Sequence, residues 1–167
     1  MLYKTMYETP VGRVLLAADG ENLIGLWLEG QKYFGGGIRE AMQEKNDLPV
    51  FENTKKWLDR YFKGEKPSPY ELPLAPIGSD FRQEVWKILC AISYGEVTTY
   101  GAIGKRLGKK NMSGQAVGGA VGHNPISIII PCHRVLGANG SLTGYAGGLS
   151  VKKKLLELEG ALPAPFI

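Results

Sequence analysis

Four prolines, Pro67, Pro69, Pro73 and Pro76, fall between Gly64 and Gly78. Proline fixes φ and has no N–H to give, so this stretch sustains neither a helix nor a central strand. A chain of 167 residues interrupted there reads as two halves: a domain over 1–66, a linker over 67–78 and a second domain over 79–167. With 44% hydrophobic and 22% charged residues, it has the composition of a globular chain that buries a core without covalent staples.

The first half patterns as strands. Tyr3, Thr5 and Tyr7 alternate, Val14-Leu15-Leu16 follows Thr9-Pro10-Val11-Gly12, and Leu23-Ile24-Gly25-Leu26-Trp27-Leu28 follows Asp19-Gly20-Glu21-Asn22. An antiparallel hairpin or meander fits this punctuation. After the break at Gly35-Gly36-Gly37, Phe51, Trp57, Leu58, Tyr61 and Phe62 share one helical face, and Lys63-Gly64 supplies a stop.

The second half opens with Ser79 or Asp80 as an N-cap, after which Phe81, Val85, Trp86, Leu89 and Ile92 recur at helical spacing. Cys90 lies on that helix and reads as a packing residue. Beyond it, residues 95–108 and then 113–122 read as a short helix, a basic glycine-containing turn and a second helix capped by Ser113, which would make a helix-turn-helix. The second helix is nearly bare: Gly114, Ala116, Gly118, Gly119, Ala120 and Gly122. Glycine costs up to about 1 kcal/mol per helical position, so either a neighbouring helix packs tightly there or a ligand must come close.

Charge narrows the partner only slightly. Twenty Lys and Arg against 16 Asp and Glu leave +4, which permits a polyanion without demanding one. No run reaches the roughly 18 apolar residues of a membrane span, and Met1-Leu2-Tyr3-Lys4 begins no apolar leader, so the expectation is a cytoplasmic protein with no membrane partner. A closed zinc site would need Cys90, Cys132, His123 and His133 all to converge; no metal and no cofactor are expected.

Ser127-Ile128-Ile129-Ile130 reads as a buried extended segment stopped by Pro131, which sets Cys132 where the backbone leaves the core. A thiol attacks as thiolate and needs positive charge or a base nearby, and His133 and Arg134 are chemically suited. Adjacent residues on an extended chain point opposite ways, however, so His133 reaches the sulfur only if the chain turns or a water intervenes. On residues alone, His133 as a core histidine and Arg134 as a binder of backbone carbonyls stay open.

The string Pro131-Cys132-His133-Arg134-Val135, with Asn124-Pro125 before it and Gly144-Tyr145-Ala146-Gly147-Gly148-Leu149 after it, resembles the active-site region of the O6-alkylguanine-DNA alkyltransferases, the methylated-DNA–protein-cysteine methyltransferases. The resemblance extends in order through residues 81–86, Gly95-Glu96-Val97-Thr98-Thr99-Tyr100 and Ala116-Val117-Gly118-Gly119-Ala120, covering roughly residues 79–160.

It implies an α/β N-terminal domain of ribonuclease-H-like fold, with an antiparallel sheet plus helices, joined to a mainly α C-terminal domain carrying a helix-turn-helix. The implied partner is double-stranded DNA containing alkylated guanine, entered from the minor groove by a monomer with no obligate protein partner. The implied reaction is irreversible transfer of the alkyl group from a flipped O6-alkylguanine to the protein's own cysteine, once per molecule, with O4-alkylthymine left open.

Residue by residue, Cys132 is the implied acceptor, His133 the water-linked base and Glu159 the acid that orients it, with Glu157 an alternative. Asn124 braces the turn, and Tyr100 crowds the phosphate and assists protonation of the leaving guanine. Ser113, Gln115, Ala116, Gly118, Gly119 and Thr99 are the implied DNA contacts. Tyr100, Arg134, Val135, Tyr145 and Gly147 are assigned to the base pocket, Arg134 as a backbone brace. Gln115 departs from the family, where many members carry arginine at the start of the second helix; the spacing from Tyr100 is also one residue longer. An alkyltransferase-like damage sensor is the competing reading, but such relatives replace the cysteine. A helix-turn-helix regulator would need base-reading side chains, which Ala116, Gly118, Gly119 and Ala120 lack.

Overall fold

The computed structural model describes residues 1–36, 38–108 and 114–162. The chain forms two compact units, Met1–Ile77 with Pro125–Ile129, and Gly78–Asn124 with Ile130–Ile167.

In the first unit the expected meander is present: β1 (Leu2–Thr9), β2 (Gly12–Ala18) and β3 (Leu23–Leu28) pair antiparallel in succession. A short strand, β4 (Met42–Glu44), joins β1 in parallel and completes the order β3-β2-β1-β4. The sheet is therefore mixed rather than antiparallel. Met42-Gln43-Glu44 carries one apolar side chain, too little pattern to read as a strand.

Helix α1 (Pro49–Phe62) packs against β1 and β2. It opens on proline, tolerated in a first turn whose N–H groups have no helical partner, and buries Val50, Phe51, Thr54, Trp57, Leu58 and Tyr61. Each large apolar side chain so buried contributes about 1.5–3 kcal/mol. On that face the Thr54 hydroxyl, Oγ1, donates to the Val50 carbonyl at 2.7 Å.

The proline-rich stretch, expected as a linker, belongs to this first unit and covers the edge of β3. Leu23 N–H donates to the Pro73 carbonyl and Ala75 N–H to the Leu23 carbonyl, both at 2.8 Å. Farther along the same edge, Leu26 N–H donates to the Pro125 carbonyl at 2.8 Å and Ser127 N–H to the Leu26 carbonyl at 2.9 Å. Two short segments thus satisfy backbone groups that an open edge would leave exposed.

Gly25 explains a glycine inside a core strand. A Cβ there would lie 2.1 Å from the Trp27 ring, which folds back over it. Trp27 is buried with Leu15, Ala17 and Ile24, so the ring has nowhere to go. Gly25→Ala is expected to lower stability by about 1–3 kcal/mol in urea unfolding, the usual effect of overpacking. A change within about 0.5 kcal/mol, the range of a neutral surface substitution, would contradict this packing.

The second unit is largely helical. It contains α2 (Asp80–Cys90), α3 (Tyr100–Leu107), α4 (Gly114–Gly122) and α5 (Leu149–Leu158). A parallel pair, β5 (Thr98–Thr99) and β6 (Val135–Leu136), sets the start of α3 beside the residues following Cys132. Ser79 caps α2 by accepting from Arg82 N–H at 3.3 Å, and Val85, Trp86 and Leu89 form its buried face. Trp86 Nε1 donates to the Ala120 carbonyl at 2.8 Å, joining α2 to α4. Residues 109–113, within the expected turn between α3 and α4, lie outside the described residues. No helix among the described residues is long and apolar enough to cross a membrane.

The segment at 127–130 is not extended as expected. It is a buried turn in which Ile128 takes φ 72°, a left-handed conformation that is strained for a β-branched residue. The continuous apolar run reported burial correctly but carried no information on backbone shape.

Candidate active site

Cys132 opens a 3-10 turn, Cys132–Arg134, directly after Pro131. The sharp bend removes the objection that neighbours on an extended chain face apart. All three turn residues are buried, and Cys132 is 5% exposed.

The turn is tied to the end of α5 by charge. His133 Nε2 lies 2.6 Å from Glu159 Oε2, Arg134 Nε donates to Glu159 Oε1 at 2.7 Å, and Arg134 Nη2 donates to Oε2 at 3.1 Å. Gly95 N–H also donates to Glu159 Oε1, at 3.3 Å, and Arg134 Nη1 donates to the Ile92 carbonyl. Gly95 takes φ +87°, and a Cβ on it would lie 3.3 Å from the Glu159 carbonyl oxygen, so glycine allows the close approach. Burial alone would raise the Glu159 carboxyl, but hydrogen bonds and charge from His133 and Arg134 outweigh it and bring its pKa down to about 2.

Those facts settle the imidazole's roles. An ionised Glu159 only accepts, so His133 must donate through Nε2–H, which leaves Nδ1 as the basic nitrogen of the neutral ring. Burial lowers the His133 pKa, with Glu159 opposing, so the ring is neutral at pH 7.

The Cys132 thiol is pushed up by burial, against the pull of a hydrogen bond from the Asn124 side chain and the nearby Lys152 charge. The resting group is a thiol that needs a base, not a standing thiolate. Asn124 Nδ2 also donates to the Ile130 carbonyl at 2.8 Å and so braces the approach to the turn. Cys90, half-buried on α2, is raised by burial to about 11.

Tyr100 begins α3, and its hydroxyl donates to the Thr143 carbonyl at 3.2 Å. Thr99 caps that helix, accepting from Ala102 N–H at 3.1 Å. Its hydroxyl, expected at the DNA, has a structural duty first. Val135 is fully buried, whereas Tyr145 and Gly147 are partly exposed on the following loop. Arg134 holds Glu159 and the Ile92 carbonyl with its side chain. Glu157, the alternative acid, is exposed and pairs with Lys153 at 3.8 Å.

On α4, Gln115 and Ala116 are exposed, and Gly118 and Gly119 are partly so. A Cβ added at Gly114, Gly118, Gly119 or Gly122 would meet nothing within 4 Å among the described residues. Tight packing against the described residues therefore does not account for these glycines. Ser113 lies outside the described residues.

One residue escaped the reading of the sequence. Lys152 is 0% exposed, and its Nζ donates to the carbonyls of Val135, Thr143 and Gly144 at 2.6, 2.8 and 3.1 Å. It sits in a run of three lysines, which resembles a solvated face. The available signal was periodicity: Lys152, Leu155, Leu156 and Glu159 share one helical stripe.

Residues 2–76 match the family model described as 6-O-methylguanine DNA methyltransferase, ribonuclease-like domain, and residues 80–161 match that family's DNA binding domain. The methylated-DNA–protein-cysteine methyltransferase of Haemophilus influenzae is 44% identical over 158 residues, 95% of this chain and 86% of its own. The Methanosarcina acetivorans protein of the same name is 44% identical over 161 residues, 96% of this chain and 99% of its own. Among solved structures, Mycobacterium tuberculosis OGT in complex with DNA aligns with a TM-score of 0.84 at 40% identity, covering 97% of this chain and 96% of that one. Both halves of the chain, in order and nearly end to end, belong to the methylated-DNA–protein-cysteine methyltransferase family.

Proposed function

We propose that this protein repairs DNA by moving a methyl or other alkyl group from guanine O6 to Sγ of Cys132, irreversibly and once per molecule. The observation that carries this reading is the buried thiol on a 3-10 turn whose next two residues are both anchored to Glu159. His133 Nδ1, through a water, takes the thiol proton as Sγ attacks the alkyl carbon. The carbon–oxygen bond breaks, its electron pair stays with guanine, and the Tyr100 hydroxyl assists protonation of the leaving base. A thioether remains, and no later step can hydrolyse it.

The base must leave the stack for O6 to reach a buried sulfur. In this reading α3 and α4 form a helix-turn-helix in the minor groove, and the open glycine face of α4 leaves room for a sugar-phosphate edge. The second unit carries the chemistry and the DNA contacts, and the first is a ribonuclease-H-like domain. Two free cysteines suit a reducing cytoplasm. Retention of Cys132 disfavours a damage-sensing role without transfer.

Titration with excess methylated duplex is expected to plateau at one restored guanine per protein molecule; continued turnover would sink the acceptor mechanism. Gln115 fills the space vacated by the flipped base without the charge or stacking plane of a guanidinium. Gln115→Arg is expected to tighten binding of lesion-containing duplex about two- to fivefold, the scale of one added cation–π contact. Equal dissociation constants for the two proteins would remove Gln115 from that position.

A further inference from the structure

We propose that Lys152 is a positioning residue whose charged ammonium fastens the loop carrying Thr143 and Gly144 to the Cys132 turn, assembling the alkyl-accepting site. This rests on the alkyl-transfer reading above. Lys152 has 0% exposure and so cannot bind a phosphate. Its three carbonyl partners at 2.6, 2.8 and 3.1 Å use all three donors of an ammonium. One of them, Val135, directly follows the Cys132–Arg134 turn, while Thr143 and Gly144 belong to the loop before α5. One side chain thereby joins three segments.

The same knot holds Tyr100, whose hydroxyl shares the Thr143 carbonyl at 3.2 Å. Gly144 takes φ +56°, and a Cβ on it would lie 3.7 Å from that hydroxyl. The distance between the hydroxyl that serves the leaving guanine and the sulfur that receives the alkyl group is thus set through Lys152.

The charge has its own consequences. Cys132 and His133 on the turn and Tyr100 on α3 surround this knot, and Glu159 and Arg134 lie beyond His133. The ammonium favours a Cys132 thiolate, and a thiolate in turn favours the ammonium. Burial brings the Lys152 pKa down from 10.5 to about 8. The folded protein therefore binds this proton less tightly than the unfolded chain, a penalty present below pH 8 and relieved above 10.5. A neutral amine also has only two N–H donors for three carbonyls. A lysine retained against stability fits a functional duty.

Single-turnover transfer from a methylated duplex, with protein saturating, tests this in wild type, Lys152→Met and Lys152→Arg on both sides of pH 8. Lys152→Met is expected to lose about tenfold or more in rate at neutral pH with DNA affinity unchanged, as a displaced wall would cause. The wild type is expected to fall off as Lys152 deprotonates, and Lys152→Arg to recover part of the rate and move that fall to higher pH. Overturning results are a wild-type rate in Lys152→Met, a loss confined to DNA affinity, no alkaline fall in the wild type, or the same fall in Lys152→Arg. If Lys152→Met fails to fold, the comparison of Lys152→Arg with wild type decides. A wild type that never methylates Cys132 defeats the alkyl-transfer reading instead.

Discussion

Glu159→Ala is expected to lose about 3–5 kcal/mol of unfolding free energy, because it strands the buried Arg134 guanidinium without its partner. Transfer should slow by about two to four orders of magnitude, the usual range for losing general-base assistance, since His133 loses the acceptor that sets its tautomer. The pH dependence gives an independent check. The Glu159 carboxyl titrates near 2 in the fold against 4.5 ordinarily, a difference worth about 3 kcal/mol. That stability is fully present above pH 4.5 and is lost as pH falls toward 2. His133, lowered from 6.5 by burial, acts in the same direction, because below that pH the unfolded chain binds a proton that the fold refuses. Urea midpoints followed into acid should therefore fall steeply for the wild type and less steeply for Glu159→Ala. Parallel curves would mean that the pair is not what acid breaks.

Cys132→Ala is expected to abolish transfer altogether while leaving the fold within about 1–2 kcal/mol of wild type, because only a small buried sulfur is lost. Cys90 cannot substitute. Its thiol is raised to about 11 and sits on α2, on a different element from His133, the proposed base. The variant should still bind lesion-containing duplex, since the exposed surface of α4 is untouched. Residual methylation of the protein in Cys132→Ala would place the acceptor elsewhere; loss of DNA binding together with transfer would mean that the substitution had disturbed the fold.

How much was legible in the sequence depended on whether local pattern or distant contact decides the outcome. The meander β1–β3 and helices α1 and α2 follow from alternation, helical spacing and a serine cap, all local signals. The parallel strand β4 did not show, because three residues held by pairing to β1 carry almost no pattern of their own. The prolines exclude a long helix and a central strand, yet the stretch holds a 3-10 turn at Pro69–Glu71, and its Pro73 carbonyl and Ala75 N–H serve a sheet edge, which a linker reading misses.

At the site, the resemblance led to Cys132, His133 and Glu159. It could not supply the bend that makes them neighbours, because the apolar run before Pro131 is as compatible with the buried turn at Ile128 as with a strand. Lys152 escaped because charge was read before periodicity: in a run of three lysines, only the helical stripe distinguishes the buried one. The bareness of α4 was ambiguous until the empty space beside its glycines was known.

The most direct test of alkyl transfer is to incubate the protein with a duplex carrying one O6-methylguanine, then analyse both partners, mapping the protein by peptide mass spectrometry. The expected result is restored guanine in the DNA and the mass of one added methylene on the peptide containing Cys132, with the Cys90 peptide unchanged. Restored guanine with an unmodified Cys132 peptide, or a duplex still methylated after prolonged incubation with folded protein, would contradict it.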